Sequence, residues 1–173
     1  PNLQKAYRFA LCQGDLALTD CAKCVIEASN EILRLCPYKT GVAIWYDYCL
    51  LRNNDIGFFG QVDYVNNMFH FMSLPSVGEP FPPFDKEAWQ LFGRVSLNAS
   101  RDQNMFASGE IGVDHWMKIY GLAQCTGDFS EIECKNCLDQ IIESGLRREV
   151  RIVSGSCYIR YELDPFLNTS YLD

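Results

Sequence analysis

Histidine is nearly absent from this sequence: His70 and His115 are the only two among 173 residues. Neither lies in a pattern that would make it the base for a nucleophile or one of a pair of metal ligands, so histidine-based hydrolysis has no seat here. G-x-S-x-G, Walker and H-E-x-x-H patterns are also missing, which removes the commonest hydrolase, nucleotide and zinc-protease readings. No apolar run approaches the ~20 residues that a membrane-spanning helix requires. Positive charge is short as well. Fifteen Lys and Arg face 22 Asp and Glu, a net charge of −7, and such a surface repels nucleic-acid phosphates and anionic lipid headgroups. The opening Pro1-Asn2-Leu3-Gln4-Lys5 is not the start of a secretory leader, as expected of a mature, trimmed chain. The expectation is a protein that is not an enzyme, has no cofactor or metal, and inserts no segment into a membrane.

Cysteine, by contrast, is abundant. Nine occur, at positions 12, 21, 24, 36, 49, 125, 134, 137 and 157, a density that points to structural disulfides or metal and to an oxidising compartment. Asn98-Ala99-Ser100 and Asn168-Thr169-Ser170 are acceptor sites for N-glycosylation, in agreement with a secretory route. An odd count leaves one thiol without a mate in this chain.

The cysteines belong to an internal repeat. Leu11-Cys12-Gln13-Gly14-Asp15-Leu16 is matched by Gln124-Cys125-Thr126-Gly127-Asp128-Phe129 once the cysteines are aligned, and Cys21-x2-Cys24 by Cys134-x2-Cys137, all at a shift of 113 residues. Cys49-Leu50-Leu51-Arg52 then matches Cys157-Tyr158-Ile159-Arg160 at a shift of 108. Each copy reads strand, C-x8-C-x2-C, helix, strand and cysteine, which predicts two domains of one architecture. We set the first at 1–58 and the second at 59–173.

Ser130-Glu131-Ile132-Glu133 is a capping box, and Cys134, Cys137, Leu138, Ile141 and Ile142 follow at helical spacing. Cys21, Cys24, Val25, Ala28, Ile32, Leu35 and Cys36 form the matching stripe, behind Ala17 where a capping serine would stand. Helix is also expected over Asp85 to Leu97. Strands are expected over Met105 to Val113, Val42 to Leu51 and Val150 to Tyr161, the last folded back at Ser154-Gly155. The stretch from Leu74 to Phe84 holds Pro75, Pro80, Pro82, Pro83 and Gly78 and reads as a loop. Copy one begins where copy two is already half complete. Its sheet is therefore expected to be finished by upstream residues or by a second chain. Trp45, Tyr46, Tyr48, Phe58 and Phe59 present more ring area than one small domain easily buries, and the two phenylalanines are expected to pack between the domains.

Two C-x-x-C pairs could suggest a zinc site, but here they lie inside helices, each with a further cysteine nine residues earlier, unlike the tight knuckles of zinc ribbons. A redox motif needs a low-pKa thiolate, which Asp20, Glu131 and Glu133 oppose. Structural disulfides remain. Cys125 with Cys134 would close the strand-to-helix turn and Cys137 with Cys157 would tie helix to last strand; by repetition Cys12 joins Cys21 and Cys24 joins Cys49. Cys36 is left over.

The C-x8-C-x2-C pattern opened by Leu122-Ala123-Gln124-Cys125, the preceding Tyr120-Gly121, the closing Ser156-Cys157-Tyr158-Ile159-Arg160-Tyr161-Glu162 and the tandem arrangement resemble the plant stress-antifungal, or ginkbilobin-homologous, cysteine-rich repeat family. That resemblance implies an α+β fold in which helices pack on an antiparallel sheet in each domain. It also implies a third bridge per domain, from an upstream cysteine to the Cys36 position; copy two has lost both of its members. Family members include secreted proteins, plasmodesmata-located proteins and receptor-like kinase ectodomains. The implied place is therefore extracellular, the apoplast, with plasma-membrane or plasmodesmata association in a parent protein.

In ginkbilobin-type lectins mannose is held by an asparagine beside the first cysteine, an arginine six residues before the last and a glutamate five residues after it. In copy two the resemblance puts Arg151 and Glu162 at the charged positions and Ser73 at the asparagine; copy one has Ala43 and Asn54. On one straight strand Arg151 and Glu162 would stand ~35 Å apart, so they cooperate only if the chain reverses between them. The expected function is binding of a mannose-type or fungal-wall glycan through copy two, in plant defence. The alternative is a module that binds an extracellular protein, with the two residues serving only as strand-end charges.

Overall fold

The computed structural model describes residues 5–62, 69–72, 85–145 and 150–167, and these fall into two compact units, 1–61 and 62–173. The fold is α+β, with an antiparallel sheet and packed helix or helices in each unit.

The first unit contains β1 (Tyr7–Cys12), α1 (Leu18–Leu35), β2 (Val42–Trp45) and β3 (Cys49–Asn54), with sheet order β1-β3-β2. The run expected as one strand from Val42 to Leu51 is a hairpin. Tyr46 N–H donates to Cys49 O at 2.8 Å and Gln13 N–H to Tyr48 O at 2.9 Å, so Tyr46 and Tyr48 lie in the turn and not in a strand. The buried stripe of α1 is narrower than its sequence pattern: Cys24, Ala28 and Ile32 are buried, whereas Leu35 is exposed. Ala17 has the extended backbone of an N-cap and no side-chain cap.

The second unit contains β4 (Phe69–Met72), α2 (Asp85–Arg101), β5 (Phe106–Gly112), β6 (Lys118–Cys125), α3 (Glu131–Gly145), β7 (Val150–Val153) and β8 (Cys157–Glu162), with sheet order β4-β7-β8-β6-β5. Helix α2 runs four residues beyond its expected end, so the Asn98 sequon lies within a helix, Asn98 exposed and Ser100 buried with its hydroxyl donating to Leu97 O. The proline-rich stretch 74–84 lies outside the described residues.

The core of this unit sits between one sheet face and both helices: Leu91, Phe92 and Val95 of α2, Leu138 and Ile141 of α3, and Ile119, Ala123, Ile152 and Ile159 of the sheet. Gly121 lets α2 approach. A Cβ there would stand 2.9 Å from Leu91 Cδ2 and 3.2 Å from Phe92 Cζ. The repeat places Arg8 at the matching position of β1, where with Ala10, Ile32, Leu33 and Leu51 it lines an open groove of about 410 Å³. The first unit thus has a groove where the second has α2.

All four pairings derived from the repeat are present: Cys12–Cys21, Cys24–Cys49, Cys125–Cys134 and Cys137–Cys157, with Cα separations of 5.7 to 6.2 Å. Each such bridge stabilises by ~2 to 4 kcal/mol, chiefly through the unfolded state. Cys36 is the free cysteine. Alkylation of unreduced, denatured protein, read by intact mass, is therefore expected to add one group, and nine after reduction.

The capping box at α3 is closed. Glu133 N–H donates to Ser130 Oγ at 3.3 Å, while Ser130 N–H and its hydroxyl donate to Glu133 Oε2 at 2.9 and 2.7 Å. These donors, the backbone amide foremost, hold the Glu133 carboxyl below its ordinary value. A depressed carboxylate adds stability above its unfolded pKa and loses it as pH falls through the folded one. The melting-temperature gap between wild type and Glu133→Gln is expected to be full at neutral pH and to close below about pH 4. A gap that persisted at pH 2 would mean that ionisation contributes nothing.

Candidate functional site

Strands β7 and β8 are joined by a tight reversal centred on Ser154. Its buried hydroxyl accepts from Ser156 N–H at 3.2 Å and Cys157 N–H at 3.0 Å, and donates to Cys157 O at 3.0 Å. The reversal expected at Ser154-Gly155 is there, and it shortens the separation that a straight strand would impose. Arg151 lies directly opposite Arg160, and Glu162 follows two residues along β8. Alternate residues share a face, so Arg151, Arg160 and Glu162 stand together on the face turned away from Ile152, Ile159 and Tyr161, the core side of the same strands.

On that face Tyr158, Leu122, Val153 and Gln124 are buried, with Tyr158 Oη donating to Gln124 Oε1 at 3.0 Å. Arg151, Arg160 and Glu162 keep partial exposure. Arg160 donates to Glu162 Oε1 through Nε at 2.7 Å and approaches the same oxygen with Nη2 at 2.5 Å. Its Cζ lies 4.3 Å from the centre of the Phe166 ring, a cation-π contact. Ser73 and Asn168 lie outside the described residues. The structure therefore brings two of the sequence-selected residues to neighbouring strands and sets between them a third, Arg160, that sequence reading did not select.

The signal for Arg160 was in the repeat. The 108-residue shift carries Arg160 onto Arg52 and Phe166 onto Phe58, and Arg52 Cζ also lies 4.3 Å above the Phe58 ring. Ala43 opposes Arg52 as Arg151 opposes Arg160. Asn54, at the Glu162 position, turns its Oδ1 to the Ile56 amide at 3.2 Å. Phe58 and Phe59, expected between the domains, make ring contacts inside the first unit: Phe59 meets Tyr7 and Phe9 edge-on, each at 6.3 Å between centroids.

Elsewhere, His115 is exposed on the β5–β6 turn beside Trp116, which is 97% exposed. Asp114 Oδ1 orders this tip by accepting the Trp116 and Met117 amides at 2.7 and 2.9 Å. Among the described residues no group of three or more His, Cys, Asp or Glu side chains is arranged to hold a metal ion, and no helix is long and apolar enough to cross a membrane.

The family model described as salt stress response/antifungal matches residues 2–55 and 76–164. The antimicrobial ginkbilobin-2-like protein of Castanea crenata is 41% identical over 169 residues, covering 95% of this chain and 69% of that protein. Cysteine-rich repeat secretory protein 38 of Arabidopsis thaliana is 36% identical over 173 residues, covering 93% and 66%. The chain thus spans about two thirds of the length of these curated relatives. Among solved structures, the tandem DUF26 ectodomain of the Arabidopsis thaliana cysteine-rich receptor-like protein PDLP8 superposes with a TM-score of 0.72 at 22% identity, over 92% of this chain and 75% of that one.

Ser154 serves three hydrogen bonds with one buried oxygen. Ser154→Ala should cost about 2 kcal/mol in urea unfolding, the penalty for leaving buried amides unmet, and should speed amide exchange in β7. Unchanged exchange there would remove Ser154 as the fastener of the hairpin.

Proposed function

The chain belongs to the salt stress response/antifungal family, and from that premise we propose that it is an extracellular defence protein that binds a mannose-type or fungal-wall glycan through its second repeat. It is a non-catalytic member of a family of antimicrobial and secretory cysteine-rich repeat proteins. One observation carries the sugar reading: the β7–β8 reversal puts Arg151 and Glu162 on one face of adjacent strands, partly open to solvent. A guanidinium donates and a carboxylate accepts at fixed spacing, which suits vicinal hydroxyls. Copy one carries Ala43 and Asn54 at these places, so the glycan belongs to copy two. Four disulfides support an oxidising, extracellular setting, the apoplast, and Asn98, exposed on α2, is the glycan acceptor we assign within the described residues.

A second reading, binding of an extracellular protein, is favoured by Trp116. A fully exposed tryptophan on an ordered tip is costly to leave in water and is a frequent anchor at protein interfaces.

The test is calorimetric titration of the oxidised protein with mannose and with fungal-wall oligosaccharides. Arg151→Ala is expected to abolish binding, while Ser130→Ala, which lowers stability by about 1 kcal/mol through lost helix capping, leaves affinity unchanged. Equal loss in both variants would assign Arg151 to the fold. Absence of saturable binding by the wild type would overturn the glycan reading and leave the Trp116 surface as the functional one.

A further inference from the structure

We infer that Arg160, seated on Phe166, positions the Glu162 carboxylate so that one of its oxygens is presented to a ligand hydroxyl. The inference rests on the carbohydrate reading above and assigns to it a residue outside the arginine and glutamate already named.

Three features support it. Arg160 meets Glu162 through Nε at 2.7 Å and Nη2 at 2.5 Å, both on Oε1; among the described residues Oε2 accepts no hydrogen bond, and the side chain is 32% exposed. An arginine used in this way orients the carboxylate without consuming it. A two-oxygen fork would have engaged both oxygens and left one lone pair on each. The guanidinium is itself held in its plane by the Phe166 ring, 4.3 Å from Cζ, with the Arg160 side chain 17% exposed. A planar group fixed by stacking loses little further freedom when it bonds.

Copy one supplies the internal comparison. Arg52 over Phe58 repeats the stack at the same 4.3 Å, but two residues on, where copy two has Glu162, stands Asn54. The Asn54 amide oxygen is spent on the Ile56 amide. The stack is therefore a part of the fold in both copies, and only in copy two does it hold an acceptor in place.

The experiment titrates mannose into wild type, Arg160→Gln, Arg160→Lys, Glu162→Gln, Arg160→Gln/Glu162→Gln and the copy-one control Arg52→Gln, with a thermal melt of each. Arg160→Gln and Arg52→Gln are expected to lower the melting temperature by similar amounts, whereas only Arg160→Gln weakens mannose binding, by about tenfold or more, as for a lost charged hydrogen bond. Arg160→Lys, which keeps the charge without the planar fork, should recover only part of the affinity. The double variant should bind no more weakly than Glu162→Gln alone, since a residue that acts through another adds nothing once that other is gone. Equal affinity changes in Arg160→Gln and Arg52→Gln, or additive losses in the double variant, would overturn the inference. If wild type binds and Glu162→Gln abolishes binding while Arg160→Gln does not, the glycan reading stands and the positioning role falls. If wild type binds neither mannose nor the fungal-wall oligosaccharides, both fall.

Discussion

The rest of each unit depends on one covalently clamped rung of its sheet. Cys125 and Cys157 face each other across β6 and β8, and Cys12 and Cys49 across β1 and β3. From the adjoining helix, two cysteines three residues apart reach down to the two members of that rung. Neighbours at that helical spacing lie on one face, so a single helix grips two strands at once. A slip of one residue in either strand would turn its sulfur to the opposite face and beyond bridging distance. The clamp therefore sets both where the helix lies and which residues oppose which across the sheet.

That register reaches the candidate site. With Cys125 opposite Cys157, Tyr120 falls opposite Glu162; the Ser154 reversal then brings Arg151 opposite Arg160. Two guanidinium groups facing across a strand pair repel. Glu162 answers one of them, and the ring of Phe166 covers the same guanidinium. The two repeats share clamp, hairpin and arginine-phenylalanine stack, and differ in the charges placed around the stack. Duplication here kept a frame and let its decoration diverge.

The units also differ in what covers the helix-bearing face of the sheet. In the second, Gly121 admits Leu91 and Phe92 of α2 at van der Waals distance. In the first, Arg8 takes that place beside an open groove. Such a contrast between Gly and Arg at one repeat position decides packing more sharply than any average hydrophobicity, because a Cβ at Gly121 already collides with buried side chains.

The periodicity of the cysteines and the repeat itself were enough to establish the four disulfides and the leftover Cys36, and the capping box at Ser130 the start of a helix, because covalent spacing and helix capping are local in sequence; the α+β class was what the family resemblance of these motifs implied. The hairpin within 42–54 was not legible, since Tyr46 and Tyr48 have the β propensity of strand residues and only the Tyr46-to-Cys49 hydrogen bond turns the chain. Nor was the end of α2, which continues past Leu97 with Ala99 and Ser100 buried. Sequence alone placed Arg151 and Glu162 at defined distances from Cys157. Only the tertiary structure decided that they share a face with Arg160 between them, because adjacency across strands is set by register and chain reversal, which join residues that are remote along the chain.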